Sequence, residues 1–435
     1  MSDPALLSLA QAREVPPGEL VQACRARIAE WQPRLNAFVE LEESRTTGVP
    51  LAHKDMFYRA GREAACGSKI LRGWIPGETS AALERLDAAG FADLGRLNMS
   101  EFAYGPTGHN EHFGDCRNPW NPECVTGGSS SGSGAAVAAR LVFGALGSDT
   151  GGSVRLPAAA CGITGLKTTW GRVSRHGAMP LSPSLDTVGP LARSAEDCAI
   201  LLQAIAGFDA RDPQSSREAV DDYLQDQRKS RIAISSDWIE RNAEPEVAAA
   251  VLAAVKTLER NPIEVEPPDF DTLSAHCLVV MQAEASAQHA RWMRERPGDY
   301  SSSVRARLES GYAIPASQYL EVLRLRRAAL ERFCARTLGG ADIYALPGIA
   351  IRVPTREETG PKGGERMPRL LADLTRLTRW VNYLGLPALA VPCGFDTRGL
   401  PLSLQLVGRP FAEATLLAAA RAYQRATDWH RRAPV

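Results

Sequence analysis

The stretch VTGGSSSGSGAAVAAR, residues 125–140, has the composition of a flexible linker at its start and of a helix at its end. A serine–glycine run alone behaves as random coil, whereas Ala135 to Ala139 favour a helix strongly. Taken alone, the junction reads as a serine-rich cap on a buried alanine helix. Gly127 and Gly128 permit a close backbone approach. Ser129, Ser130, Ser131 and Ser133 then stand at a helix N-terminus, where hydroxyls can cap orphan N–H groups.

A second cluster, GSDTGGSVRLP at residues 147–157, follows closely. LVFGALGSDT reads as a strand ending in Ser148, Asp149 and Thr150, and the small residues after Ser153 read as a short helix. Two glycines between a strand end and a helix start expose successive backbone N–H groups, a nest for a developing oxyanion. Ser153, at the far edge, is positioned to be a nucleophile.

A serine at its ordinary pKa needs a base. None of the seven histidines has a triad-like setting, and the pair in HNEH, residues 109–112, offers too few ligands for a metal. In GVPLAHKDMF, residues 48–57, Lys54 ends a largely apolar strand. Burial there would disfavour its charged form and make the amine a base.

The remainder of the 435-residue chain bounds these readings. Fifty basic and fifty acidic residues cancel, so no nucleic-acid partner and no membrane surface is expected. No signal peptide or transmembrane run is read. Nine cysteines, scattered and never spaced C-x-x-C, suit a reducing cytoplasm better than a disulfide framework.

Helical and strand patterns alternate, which is the mark of an α/β chain. PPGELVQACRARIAEW reads as a helix, as do TSAALERLDAAG with Thr79 as N-cap and SAEDCAILLQAIAG with Ser194 as N-cap. Strands are predicted at GVPLAHK, FADLG, LVFGALGSD, RIAIS, IEVEP, ADIYALPG, PALAVP and LSLQLVG. They imply a large mixed β-sheet enclosed by α-helices on both faces, in a single domain over residues 1–435. Within it we distinguish a core at about 48–205, a mainly helical block at about 208–340 and a C-terminal core at about 341–435. Residues 355–368, TREETGPKGGERMP, read as a long surface loop.

With NMSEFAYG, NPWNP, GLPALAVPCGF and GLPLSLQLVG in the same order, these clusters resemble the amidase signature family of serine hydrolases. Lys54 and Ser129 stand 75 residues apart, and Ser129 and Ser153 stand 24 apart, as the family requires. The resemblance implies a Ser–Ser–Lys triad in which Ser153 attacks, Ser129 relays a proton and Lys54 is the base. It places a cis peptide between Gly128 and Ser129 and an oxyanion hole on the N–H groups of Thr150, Gly151, Gly152 and Ser153. Gly128, Ser130, Asp149 and Arg155 would support the site, and Phe102 and Tyr104 would line the substrate pocket. No metal or organic cofactor is implied.

The implied activity is hydrolysis of an amide, anilide or carbamate C–N bond through an acyl-enzyme. No charged residue is obviously aimed at a substrate, so a neutral or apolar small molecule is expected, and a homodimer is a family expectation. Three departures from the pattern stand out: a short lead at residues 41–47, His53 before Lys54, and Thr168 where proline is usual. An alternative within the family is the ammonia-releasing subunit of a glutamine-dependent tRNA amidotransferase, against which the short N-terminal region is weighed. Further readings are an α/β-hydrolase elbow with Ser130 central in GSSSG, which needs a preceding strand, and a non-catalytic scaffold.

Overall fold

The computed structural model describes residues 3–43, 47–226 and 229–434. Part of the short lead, residues 44–46, lies outside that set. Eleven strands form one sheet among the described residues: β1 (Phe38–Leu41), β2 (Val49–Lys54), β3 (Phe91–Leu97), β4 (Gly144–Asp149), β5 (Thr164–Lys167), β6 (Thr187–Ala192), β7 (Ile232–Ile234), β8 (Ile263–Glu264), β9 (Ile343–Pro347), β10 (Ala388–Phe395) and β11 (Pro401–Gly408). Their order is β1-β3-β2-β4-β6-β5-β10-β11-β9-β7-β8. The sheet is mixed: β2 runs parallel to β3 and β4, β7 runs parallel to β8 and β9, and the other pairs are antiparallel. Strands β2, β3, β4, β6 and β9 are buried at every position, as strands covered on both faces must be.

All eight strands read from the sequence are present. Strands β1, β5 and β6 escape that reading; β6 carries Gly189 and Pro190, which argue locally against a strand. Helix Ala81–Ala88 begins one residue later than expected: Ser80, not Thr79, accepts from Leu83 N, and Thr79 instead accepts from Ala60 N. Ser194 caps helix Ala195–Ile205 by accepting from Asp197 N.

Residues 355–368 are not a loop. A Thr355–Glu358 capping box starts the short helix Arg356–Thr359, a 3₁₀ segment covers Pro361–Arg366, and helix Met367–Leu384 follows. The S/T-x-x-E signal is legible there, but the glycines and Pro361 outweigh it in a reading by composition. Helix Met367–Leu384 packs along helix Phe270–Glu295, and together they close one side of the loop at Gly151, through Arg379 and Met281. No helix of the described residues is long and apolar enough to cross a membrane.

Candidate active site

Strand alternation separates His53 from Lys54. His53 turns to Asp93, with Nδ1 2.9 Å from Oδ1, so it leaves the burial of its neighbour intact. Lys54 is 0% exposed, and its Nζ donates to Ser129 Oγ at 2.7 Å and to Ser148 Oγ at 2.8 Å. Burial lowers its pKa to about 7, against the opposing pull of Asp149 and Asp186. Ser148, on β4, is not among the residues expected from the sequence; its place one residue before Asp149 is the available signal.

The Gly128–Ser129 peptide is cis. Gly128 has no room for a side chain, because a Cβ would lie 2.6 Å from the Gly105 carbonyl oxygen. Ser130 N donates to Ser153 O at 3.3 Å, joining the two Gly–Ser segments. The serines after Ser129 do not cap the helix Ser131–Ala138. Their hydroxyls reach instead to backbone carbonyls: Ser130 to Ser148, Ser131 to Asn98 and Ser133 to Leu146. Ser130 is fully buried, with no strand element immediately before it, unlike an exposed nucleophile elbow.

The nest between β4 and helix Arg155–Cys161 is held by Asp149. Its carboxylate accepts from Gly152 N at 2.8 Å, from Val154 N at 3.0 Å and from the Arg155 guanidinium. Arg155 also donates to Gln405 Oε1, Thr378 O and Asn382 Oδ1. Burial alone would raise the Asp149 carboxyl, but the Arg155 guanidinium holds it well below the usual carboxylate range.

Gly152 has φ +130°, and a Cβ there would meet Thr378 Oγ1 at 2.4 Å. Its N–H is committed to Asp149. The N–H groups of Thr150, Gly151 and Ser153 have no acceptor among the described residues, so of the four N–H groups expected to meet an oxyanion three are uncommitted. Thr150 Oγ1 donates to Asp186 Oδ1 at 2.6 Å, and burial raises the Asp186 carboxyl to about 6.

Ser153 opens onto a cavity of about 230 Å³. Tyr104 lines it, whereas Phe102 does not. Phe102 is 1% exposed and packs against His289, Trp292 and Tyr300. Two cationic side chains line the same cavity, Arg307 from the helix Ser302–Gly311 and Arg379 from the helix Met367–Leu384. Neither stands out in the sequence, because surface-type helices are rich in arginine and only tertiary packing turns these two inward. They stand against the expectation that no charged residue is aimed at the substrate, since both line the cavity onto which Ser153 opens.

The chain matches the Amidase family over residues 19–417. It belongs to that family. This amidase is 39% identical, over 97% of its own length and 96% of the relative's, to the A subunit of glutamyl-tRNA(Gln) amidotransferase from Azotobacter vinelandii. Among solved structures, it aligns at TM-score 0.89 and 32% identity with a chain described in a vestigial protein complex that reveals the origins of an s-triazine catabolic enzyme, covering 97% of this chain and 98% of that one. It aligns at TM-score 0.85 and 30% identity with the A subunit of glutamyl-tRNA(Gln) amidotransferase from Thermotoga maritima, covering 98% and 96%.

These relatives overturn the expectation that nucleic acid has no place among the partners of such a chain. The A subunits among them belong to enzymes named for a tRNA. The amidase spans nearly their whole length.

Proposed function

We propose that this amidase is an ammonia-releasing A-type subunit, taking nitrogen from the side-chain amide of glutamine for a tRNA-bound acceptor held by partner subunits. Near full-length similarity to the A subunits supports the partnered reading over a stand-alone enzyme. Anilides and carbamates rank behind glutamine as substrates. The nine free cysteines suit the cytoplasm.

The observation that carries the chemistry is the buried Lys54 amine, 2.7 Å from Ser129 Oγ. Ser153 Oγ attacks the amide carbon while its proton passes through Ser129 Oγ to neutral Lys54. The N–H groups of Thr150, Gly151 and Ser153 receive the oxyanion. Collapse breaks the C–N bond, and the proton held on Lys54 returns through Ser129 to the leaving ammonia. Water then attacks the acyl-enzyme by the same relay, releasing glutamate and restoring Ser153. Ser129 and Ser153 make no direct hydrogen bond in the unliganded geometry; such contacts commonly tighten when substrate binds.

A serine-directed fluorophosphonate tests the nucleophile, with one adduct expected on Ser153 by peptide mapping. Ser153→Ala is expected to lower ammonia release by at least ~10⁴-fold. An adduct on Ser130, or turnover surviving Ser153→Ala, rejects the assignment. Ammonia release from glutamine, measured with and without partner subunits and glutamyl-tRNA, tests the partnered role, and stimulation by the partners is the expected result.

A further inference from the structure

The cavity at Ser153 contains an imbalance of charge. Arg307 and Arg379 line it, and no aspartate or glutamate does. Arg307 commits Nη1 to the Tyr104 carbonyl at 2.7 Å, and neither guanidinium has an acidic partner among the described residues. The nearby Arg376 shows the contrast, with Nε and Nη2 both on Asp271. Tyr104 is 6% exposed, and its hydroxyl has no hydrogen-bond partner. The stem of Arg379 runs beside the nest, with Cγ 3.4 Å from where a Gly151 Cβ would stand.

Arginine does not shed its proton, and an unpaired buried charge is costly. Two guanidinium groups with no acidic partner among the described residues, one of them held only by a backbone carbonyl and the Tyr104 ring, therefore form an acceptor-seeking surface. We infer that Arg307 and Arg379 form a carboxylate-reading subsite, and that the site takes small amides bearing an acid group, most tightly those with no ammonium beside it. The inference rests on the reading of the Ser153 cavity as an amidase site. It deepens that reading at one point: glutamine engages the subsite through its α-carboxylate, but its α-ammonium meets two positive charges and no acid. The same molecule without the ammonium, glutaramate, is the better ligand.

The test is calorimetric titration of the full-length Ser153→Ala protein with glutaramate, glutamine and the neutral pentanamide. Glutaramate is expected to bind at least ~10-fold more tightly than either, the scale set by hydrogen bonds to charged groups. Arg379→Gln should weaken glutaramate by roughly 10- to 100-fold and leave pentanamide unchanged. Arg379→Lys, which keeps the charge and guards against misfolding of the glutamine variant, should retain the order of the three ligands. Glutamine or pentanamide binding as well as glutaramate, or an Arg379→Gln protein that binds glutaramate normally, overturns the inference. Binding is read without turnover, so failure of wild-type Ser153 to react with fluorophosphonate would remove the amidase reading and leave the subsite standing.

Discussion

Lys54 and Lys167 are both fully buried, both end a strand of the same sheet, and burial lowers both to a pKa of about 7, with Asp149 pulling each of them back up. Their partners differ. Lys54 donates to two hydroxyls, Ser129 and Ser148, whereas Lys167 donates to two backbone carbonyls, Thr168 at 2.9 Å and Leu386 at 2.7 Å. A hydroxyl can reverse its role and give a proton to a neutral amine, but a carbonyl only accepts. The same depressed basicity is thus chemically usable at one lysine and purely structural at the other. A shifted pKa marks a functional residue only when its neighbours can exchange protons with it.

Replacing each lysine by methionine is the sharpest way to break this comparison. Lys54→Met should lower kcat by roughly 10³-fold, within the range for loss of a general base, in a protein that still folds. Lys167→Met should keep activity per folded molecule within about threefold. It should cost about 1–3 kcal/mol of stability, because two buried carbonyls lose their donor. Denaturant melts paired with amide turnover separate the two effects, and an inactive but stable Lys167→Met protein would erase the distinction.

The pH profile sharpens it further. As the proposed base, Lys54 acts in its neutral form, and its pKa is lowered, so the neutral amine predominates above about pH 7. The value of kcat/KM should therefore climb with pH and level off above about 7, and Lys167→Met should leave that limb in place. A profile flat across neutrality would reject Lys54 as the base. The smallest expected effect is that of Ser148→Ala, which removes one of two acceptors for Lys54 Nζ. It should cost roughly two- to tenfold in kcat/KM, the scale of a single hydrogen bond, and shift the limb.

The same contrast explains what the sequence could reveal. The meeting of Lys54 with Ser129, and of the two Gly–Ser segments with each other, was legible because glycine clusters and an out-of-place lysine are local signals. Strand β10 was legible through its apolar run ALAVP, and β11 through the alternation of leucine with Ser403 and Gln405. Arg307 and Arg379 were not, because nothing distinguishes TRLTRWVN as carrying one surface arginine, Arg376, and one cavity arginine, Arg379. That difference is made by the helix's packing against Phe270–Glu295. Phe102 failed in the opposite sense: an aromatic beside the motif reads as pocket wall, yet a left-handed backbone with φ +48° turns it into the core cluster of His289, Trp292 and Tyr300.

The clasp between Arg155 and Gln405 spans 250 residues, and this sets a timetable for synthesis. The loop that carries Ser153 leaves the ribosome early, while the side chains of Asn382 and Gln405 that complete its hydrogen bonding are still untranslated. At about 5–20 residues per second, the loop waits on the order of 10–50 s for its last partner. A nascent amidase stalled before Gln405 would therefore carry Ser153 and Lys54 without the fastening that fixes the nest.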